Sequence, residues 1–404
     1  MLSKIKPKLL LIALGIIDLA LLILFLVSEY RIQIKHQPLG NTIQVINGPY
    51  TPHPSKRVYG YLPYWMLDNA KYLQYDKLTD LAYFGLFVDS KGEFVTRDED
   101  GNTHPAMNAW NNSAQLKGSI QQAKNSGVRV SLTVIMQKDD DIDAFLLCQT
   151  CWTTLSDNVI EQLREKELKS ISLDFEHATE TSPRITNLYT DFVEYMKSEL
   201  NKNFYDSSLI VATFADSFKR QRITDPERLA QVSDGLFVMT YDFHQFGSEN
   251  AGPVAPLNGA PKLYEYDVTT AVSDFKARVS KFKIILGVPY YGYNFLIEES
   301  NPLASRVPGD DAIGYTVAQY YAQILDSDSI PLKNSLWLEE AETPYLIYTS
   351  DTGQLRALHY ENKSSLAKKY DLVLEEGLMG VGIWALGYDG DHPELWDLLG
   401  EKFK

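Results

Sequence analysis

The sequence is poor in cysteine and in positive charge. Its 404 residues include 2 cysteines, and 53 Asp and Glu outnumber 38 Lys and Arg, which gives a formal net charge of -15. An acidic surface repels phosphate backbones, so nucleic acid is not an expected partner. No G-x-G-x-x-G run follows any of the apolar segments, so the sequence gives no support for a nucleotide cofactor.

The two cysteines stand close together, at Cys148 and Cys151. A single C-x-x-C is half of a zinc knuckle, a redox pair or a local disulfide. No second C-x-x-C follows. The segment from Trp152 is typical of the start of a helix, and the surrounding sequence is not thioredoxin-like. We therefore favour a small disulfide or two free thiols over a metal site.

The N-terminus carries a long apolar run. Leu9 to Val27 is interrupted only by Asp18, and three lysines precede it. This pattern predicts a membrane-spanning helix within residues 1–28, with a cytoplasmic N-terminus and the rest of the chain outside the cytoplasm. A cleaved signal peptide is the alternative, disfavoured because no small-x-small site follows the run. Residues 29–55 are polar and contain prolines, which is typical of a linker.

From residue 56 onward, eight short apolar runs alternate with amphipathic stretches. This alternation predicts an α/β fold, a closed (β/α)8 TIM barrel of parallel strands, with an open doubly wound sheet as the alternative. The predicted strands include Val58–Leu62, Leu81–Phe87, Val128–Val134, Ile171–Leu173, Leu209–Phe214, Gly235–Tyr241, Ile284–Tyr290 and Met379–Ala385.

The seventh and eighth predicted strands are separated by more than one helix. The extra segment, about residues 294–360, contains three strand-like pieces and a hairpin turn at Ser350–Gly353. We expect a small α+β insertion beside the mouth of the barrel.

The fourth predicted strand ends in two acidic residues that are separated by one position. Active sites of such barrels lie at the carboxyl ends of the strands, and alternate residues share a face, so Asp174 and Glu176 both point into the barrel mouth. Mutual repulsion and burial raise the pKa of such a pair, which can keep one acid protonated for glycosidic bond cleavage. A solvated acid pair or a salt-bridge site is an equally good interpretation of this strand alone.

Aromatic residues mark the ends of other strands. Tyr241 is followed by Asp242, Tyr290 ends the seventh strand, and Trp384 lies at the end of the eighth. Flat rings beside carboxylates are typical of a carbohydrate cleft.

Taken in order, these motifs resemble glycoside hydrolase family 18, the chitinase-like family, from about Arg57 to Leu399. The similarity is greatest to the bacterial branch of spore-cortex and cell-wall glucosaminidases. The matching segments are the end of the family's D-x-x-D-x-D-x-E pattern at Asp174 and Glu176, M-x-Y-D at Met239–Asp242, the loop Ala251–Leu257, the floor tryptophan Trp384 and the segment Gly387–Trp396.

The resemblance implies retaining, substrate-assisted hydrolysis of a β-1,4-linked N-acetylglucosamine (GlcNAc) polymer such as peptidoglycan or chitin, without metal or cofactor. It assigns catalysis to Glu176 as the acid, Asp174 as the partner of the 2-acetamido group, and Tyr241 as a donor to the acetamido carbonyl. The expected substrate contacts are Trp384, Asp242, Tyr61, Ser172 and Tyr290.

The fourth strand departs from the family pattern at two positions. Lys169 and Ser172 stand where the family has its first two acidic residues. A serine hydroxyl can hydrogen-bond but carries no charge, so we expect a shifted pH profile. A non-catalytic carbohydrate-binding protein and a structural barrel in a membrane complex are the alternatives, and retention of Glu176, Asp174 and Tyr241 argues against the former.

Overall fold

A computed structural model describes residues 56–307, 309 and 316–404. The predicted anchor at residues 1–28 and the linker at residues 29–55 lie outside the described residues. Within the described ranges, no helix combines the length and the apolar character needed to cross a bilayer.

Eight parallel strands close into a barrel, which confirms the predicted (β/α)8 fold and excludes the open sheet. Around the barrel the order is β1-β13-β7-β6-β5-β4-β3-β2. The strands are β1 (Arg57–Pro63), β2 (Asp80–Phe87), β3 (Arg129–Met136), β4 (Ser170–Phe175), β5 (Leu209–Phe214), β6 (Gly235–Met239), β7 (Ile284–Pro289) and β13 (Gly380–Trp384).

Alternating residues of these strands form two separate layers of the core. The inward layer is a cluster of rings and branched side chains that includes Tyr61, Phe84 and Phe237. The outward residues, such as Leu173 and Phe175 on β4, are buried under the surrounding helices. Burial on both faces explains why the strands are continuous apolar runs in the sequence.

The helices between the strands are amphipathic and bury one face against the barrel. They are α1 (Pro105–Asn112), α2 (Ala114–Asn125), α3 (Asp139–Leu146), α4 (Gln149–Glu165), α5 (Pro183–Asn203), α6 (Pro226–Val232), α7 (Val268–Lys276), α8 (Tyr321–Leu325), α9 (Lys363–Glu375) and α10 (Glu394–Phe403). Short 3-10 turns cover Tyr64–Tyr72, Tyr75–Lys77, Lys281–Lys283 and Leu332–Asn334.

The two cysteines form a disulfide at the start of α4. Cys148 precedes the helix and Cys151 lies in its first turn, so the helix begins at Gln149, earlier than the expected start at Trp152. The bond closes a loop with a sequence separation of 3 and therefore constrains only this helix end.

A second, antiparallel sheet lies between β7 and β13 in the chain. Its order is β10-β11-β12-β8-β9, and its strands are β8 (Tyr291–Leu296), β9 (Val317–Tyr320), β10 (Leu336–Leu338), β11 (Thr343–Thr349) and β12 (Leu355–His359). The sheet begins at Tyr291, separated from the end of β7 by one residue, so the α+β insertion starts earlier than the expected boundary at 294.

Candidate active site

The end of β4 places two carboxyl groups at the barrel mouth. Asp174 is on the inward face and only 3% exposed. Glu176 lies just past the last strand residue and lines the cleft above it. The backbone N–H of Glu176 donates to the carbonyl of Met136 at 2.9 Å, which continues the β3–β4 pairing and fixes where the side chain begins.

A glutamine at the end of β3 contacts the acid directly. Nε2 of Gln137 donates to Oε1 of Glu176 at 2.9 Å. This residue is not among the expected site residues, although the inward alternation Thr133, Ile135, Gln137 along β3 is a signal that points to it.

Burial and mutual repulsion control the protonation of the pair. Burial, and next the charge of Glu176, hold the pKa of Asp174 well above its usual range. Burial also raises the pKa of Glu176, and the hydrogen bond from Gln137 opposes that rise. The titration of two carboxyls that interact in this way belongs to the pair and not to either residue.

Tyr241 and Asp242 follow β6 and face the same cleft. Burial, together with the nearby charges of Asp174 and Glu176, keeps the pKa of Tyr241 well above its usual range, so its phenol remains a hydrogen-bond donor. The hydroxyl of Tyr291 donates to Oδ1 of Asp242. Burial raises the pKa of Asp242 to about 6, against the lowering effect of its tyrosine hydrogen bonds.

Aromatic rings form the floor and one wall of the cleft. The ring of Trp384, at the end of β13, lies edge-on to Phe84 at 4.6 Å and to Tyr61 at 5.7 Å between centroids. Trp65, which follows β1, packs against Trp384 at 6.2 Å and is 41% exposed. Trp65 is not among the expected site residues, because strand alternation ends where the 3-10 turn begins.

The structure brings most of the expected residues together, and two of them lie elsewhere. Ser172 is fully buried below the cleft, where its Oγ lies 2.8 Å from the hydroxyl of Tyr61. Tyr290 points outward from β7 and shares a hydrogen bond of 2.9 Å with Tyr370. Direct substrate contact by Ser172 or Tyr290 is therefore not supported by their positions. Tyr61, the partner of Ser172, does line the cleft.

The cleft is large enough for several sugar rings, with a volume of ≈ 1180 Å³. Besides the acids, its lining includes the loop after β5, which carries Lys219, Arg220 and Arg222. Within the described ranges, no three His, Cys, Asp or Glu side chains cluster in a way that could hold a metal ion.

An acid pair at the mouth of a barrel, a phenol donor beside it and a tryptophan floor are typical of a TIM-barrel glycosidase. The chain belongs to the glycosyl hydrolases family 18, whose sequence profile matches residues 57–389. The family expected from the strand-end motifs is thereby confirmed.

Sequence relatives include two spore-associated bacterial proteins. The chain is 28% identical over 249 residues to a putative sporulation-specific glycosylase, YdhD of Bacillus subtilis, covering 61% of this chain and 53% of that protein. It is 23% identical over 332 residues to the cortical fragment-lytic enzyme of Bacillus anthracis, covering 81% of this chain and 68% of that enzyme. This chain therefore spans about half the length of YdhD, as the 53% coverage shows.

Solved structures share the fold at low sequence identity. The spore cortex-lytic enzyme SleL of Bacillus megaterium superposes with a TM-score of 0.66 at 19% identity, covering 91% of this chain and 79% of that one. A Group IV chitinase of Ostrinia furnacalis superposes with a TM-score of 0.70 at 17% identity, covering 86% of this chain and 99% of that one.

Proposed function

We propose that this protein hydrolyses β-1,4-linked GlcNAc-containing polysaccharide, of the peptidoglycan or chitin type, by a retaining, substrate-assisted mechanism. The observation that carries the proposal is the pair of buried Asp174 and partly exposed Glu176 in an open cleft whose floor is Trp384. Membership of family 18 supports the same activity. The alternative, a non-catalytic carbohydrate-binding protein, is not favoured because the acid pair is intact.

The first step breaks the glycosidic bond. The carbonyl oxygen of the substrate's own 2-acetamido group attacks the anomeric carbon, and the bond from that carbon to the leaving oxygen breaks. Glu176 gives its proton to the leaving oxygen. Asp174 accepts the acetamido N–H and stabilises the positive charge of the oxazolinium ion, while the Tyr241 hydroxyl orients the acetamido group. No protein nucleophile is needed, which distinguishes this route from the usual two-carboxylate scheme.

The second step returns the enzyme to its starting state. Glu176, now a carboxylate, takes a proton from a water molecule as that water attacks the anomeric carbon. The bond from this carbon to the acetamido oxygen breaks, and the amide re-forms. Two inversions at one carbon give net retention, so the first product is the β-anomer.

Hydrolysis assays on the full chain test this proposal. The substrates are GlcNAc oligomers and purified peptidoglycan, and the comparison variant is Glu176→Gln. We expect new reducing ends, a β-anomeric first product by NMR, and a loss of roughly 10²- to 10⁴-fold in kcat for Glu176→Gln. Binding without turnover by the unmodified protein would favour the carbohydrate-binding alternative. Equal turnover by both proteins would remove Glu176 from the role of acid.

We also propose that residues 1–28 anchor the chain in a membrane, with residues 29–55 as a spacer and the barrel outside the cytoplasm. The apolar run preceded by lysines supports this topology. The Cys148–Cys151 disulfide supports it independently, because such bonds persist in oxidising compartments. We expect the protein to resist alkaline extraction from membranes. We also expect protease added outside the cell to digest the barrel. Recovery of the full chain in the soluble fraction would contradict the anchor.

A further inference from the structure

The lysines and arginines of the cleft all lie on one loop. Among the described residues that line the cleft, Lys219, Arg220 and Arg222 supply every Lys and Arg side chain. They follow β5, which stands opposite β1 in the barrel order, and β1 leads into the exposed ring of Trp65. The cleft therefore has an aromatic side and a cationic side.

The three cations share two carboxylates. Asp216 pairs with Arg222 and Arg220, and Glu265 pairs with Arg220 and Lys219. These five side chains carry three positive and two negative charges, in a protein whose formal net charge is -15. The remaining acids among the described residues that line the cleft are Asp174, Glu176, Asp242 and Glu249.

Arg222 is a fixed part of this loop. Its Nε and Nη2 donate to the two oxygens of Asp216 at 3.0 and 2.8 Å, and its Nη1 donates to the carbonyl of Ala178 at 3.3 Å. Its guanidinium also lies 4.6 Å from the centre of the Phe214 ring. Because Ala178 is two residues beyond Glu176, Arg222 holds the cationic loop against the loop that carries the acid.

Lys219 and Arg220 are held less firmly. Their side chains are 35% and 47% exposed, and that of Glu265 is 59% exposed. Ion pairs this exposed contribute little, since water and salt screen them. A carboxylate arriving in the cleft can therefore take the place of Glu265 at small cost and gain charge-assisted hydrogen bonds from the guanidinium.

We propose that Lys219 and Arg220 bind a carboxylate carried by the polysaccharide, so that anionic GlcNAc polymers are preferred over neutral chitin. This inference rests on the proposed function and specifies the substrate class of that same cleft. The carboxylate has two chemical sources in peptidoglycan, the lactyl ether of the muramic acid residue and the acidic peptide attached to it.

Three substrates distinguish the two carboxylate sources from each other and from a neutral polymer. They are a GlcNAc oligomer, glycan strands stripped of peptide, and intact peptidoglycan fragments of the same length. For Arg220→Gln we expect KM to rise roughly three- to tenfold on carboxylate-bearing substrates and to stay unchanged on the neutral oligomer. Glu265→Gln removes the competing carboxylate and should lower KM on the same charged substrates. High salt should reduce both differences.

Arg228→Gln is the matched control. Arg228 is also an exposed arginine paired with an aspartate, Asp191 at 3.4 Å, and it lies outside the cleft lining. Its loss should leave KM unchanged on every substrate. Circular dichroism of Arg220→Gln serves as the check on folding.

Each outcome has a defined consequence. A rise in KM on peptide-free and peptide-bearing glycans assigns the lactyl carboxylate, and a rise on peptide-bearing glycans alone assigns the peptide. Equal effects on charged and neutral substrates, or weaker binding after Glu265→Gln, would overturn the inference while leaving the hydrolase function intact. If the unmodified enzyme turns over no substrate, the proposed function fails. In that case, the dissociation constants of the same glycans are measured for Glu176→Gln and for the double variant Glu176→Gln with Arg220→Gln. The difference between these constants still tests the carboxylate site.

Discussion

The hydroxyl of Tyr61 lies 2.8 Å from the Oγ of Ser172, and both groups are buried on the inward face of the barrel below Asp174. The two hydroxyls satisfy each other without adding charge. Burial, and next the charge of the neighbouring Glu176 carboxyl, hold the pKa of Asp174 well above its usual range. Family 18 enzymes with the full acidic pattern have a carboxyl group at the position of Ser172.

Ser172→Asp should move the alkaline limb of the pH–rate profile upward. A new buried carboxylate beside Asp174 raises the pKa of its neighbours, because each added negative charge disfavours another. Glu176 then keeps the proton needed for cleavage to a higher pH, and the alkaline limb moves by roughly one pH unit. The measurement is kcat/KM on a GlcNAc oligomer across pH, with circular dichroism to verify folding.

Ser172→Ala is the control for charge. It removes the partner of the Tyr61 hydroxyl but introduces no carboxylate, so the alkaline limb should keep its position. The same upward shift in Ser172→Ala and Ser172→Asp would show that packing under Asp174, and not charge, sets the profile.

Gln137→Leu tests the hydrogen bond to the acid. The amide of Gln137 lowers the pKa of Glu176 by stabilising its charged form. Without that donor the pKa of Glu176 should rise, and the alkaline limb should move upward by less than in Ser172→Asp. We also expect kcat to fall within roughly tenfold, because Glu176 loses its orienting partner. A downward shift of the limb in a pH–rate series would contradict this assignment.

Trp384→Ala should weaken binding of every GlcNAc substrate, charged or neutral. The indole is packed edge-on against Phe84 and Tyr61, so its face is held in place for stacking by a sugar. Removing it should raise KM roughly three- to tenfold, within the energy range of aromatic contacts. Trp384→Phe keeps a flat ring and should recover part of the loss. Unchanged KM in Trp384→Ala would place the sugar elsewhere in the cleft.

Regular features of the chain were predictable from the sequence. Parallel barrel strands are buried on both faces, so they are apolar runs in the sequence. The alternation of inward and outward residues along the fourth strand placed Asp174 and Glu176 at the mouth. The same rule, applied from Ile285, puts Tyr290 on the outward face with Leu286 and Val288, so the sequence already indicated that this side chain points away from the barrel interior.

Other parts of the cleft depend on long-range contacts that no local pattern encodes. Trp65 reaches the floor because a 3-10 turn after β1 folds back over the barrel. The cationic side depends on Glu265, which is 45 residues from its partner Arg220 in the chain. Loops of this kind are positioned by tertiary packing, so sequence periodicity could not predict which of their side chains face the cleft.

Asp389 should make the stability of the fold depend on pH. Its carboxyl is buried, and burial raises its pKa to about 7 in the folded state from an ordinary value of 3.8. Because the folded pKa is the higher one, its contribution is most favourable below about pH 4 and is lost as pH rises to about 7. The difference amounts to about 4 kcal/mol at most. The free energy of unfolding of Asp389→Asn should therefore increase relative to the unmodified protein between pH 4 and pH 8, as measured by urea titration. Asp391→Asn, at a neighbouring exposed aspartate, should show no such trend, and a parallel pH dependence in the unmodified protein and Asp389→Asn would contradict the assignment.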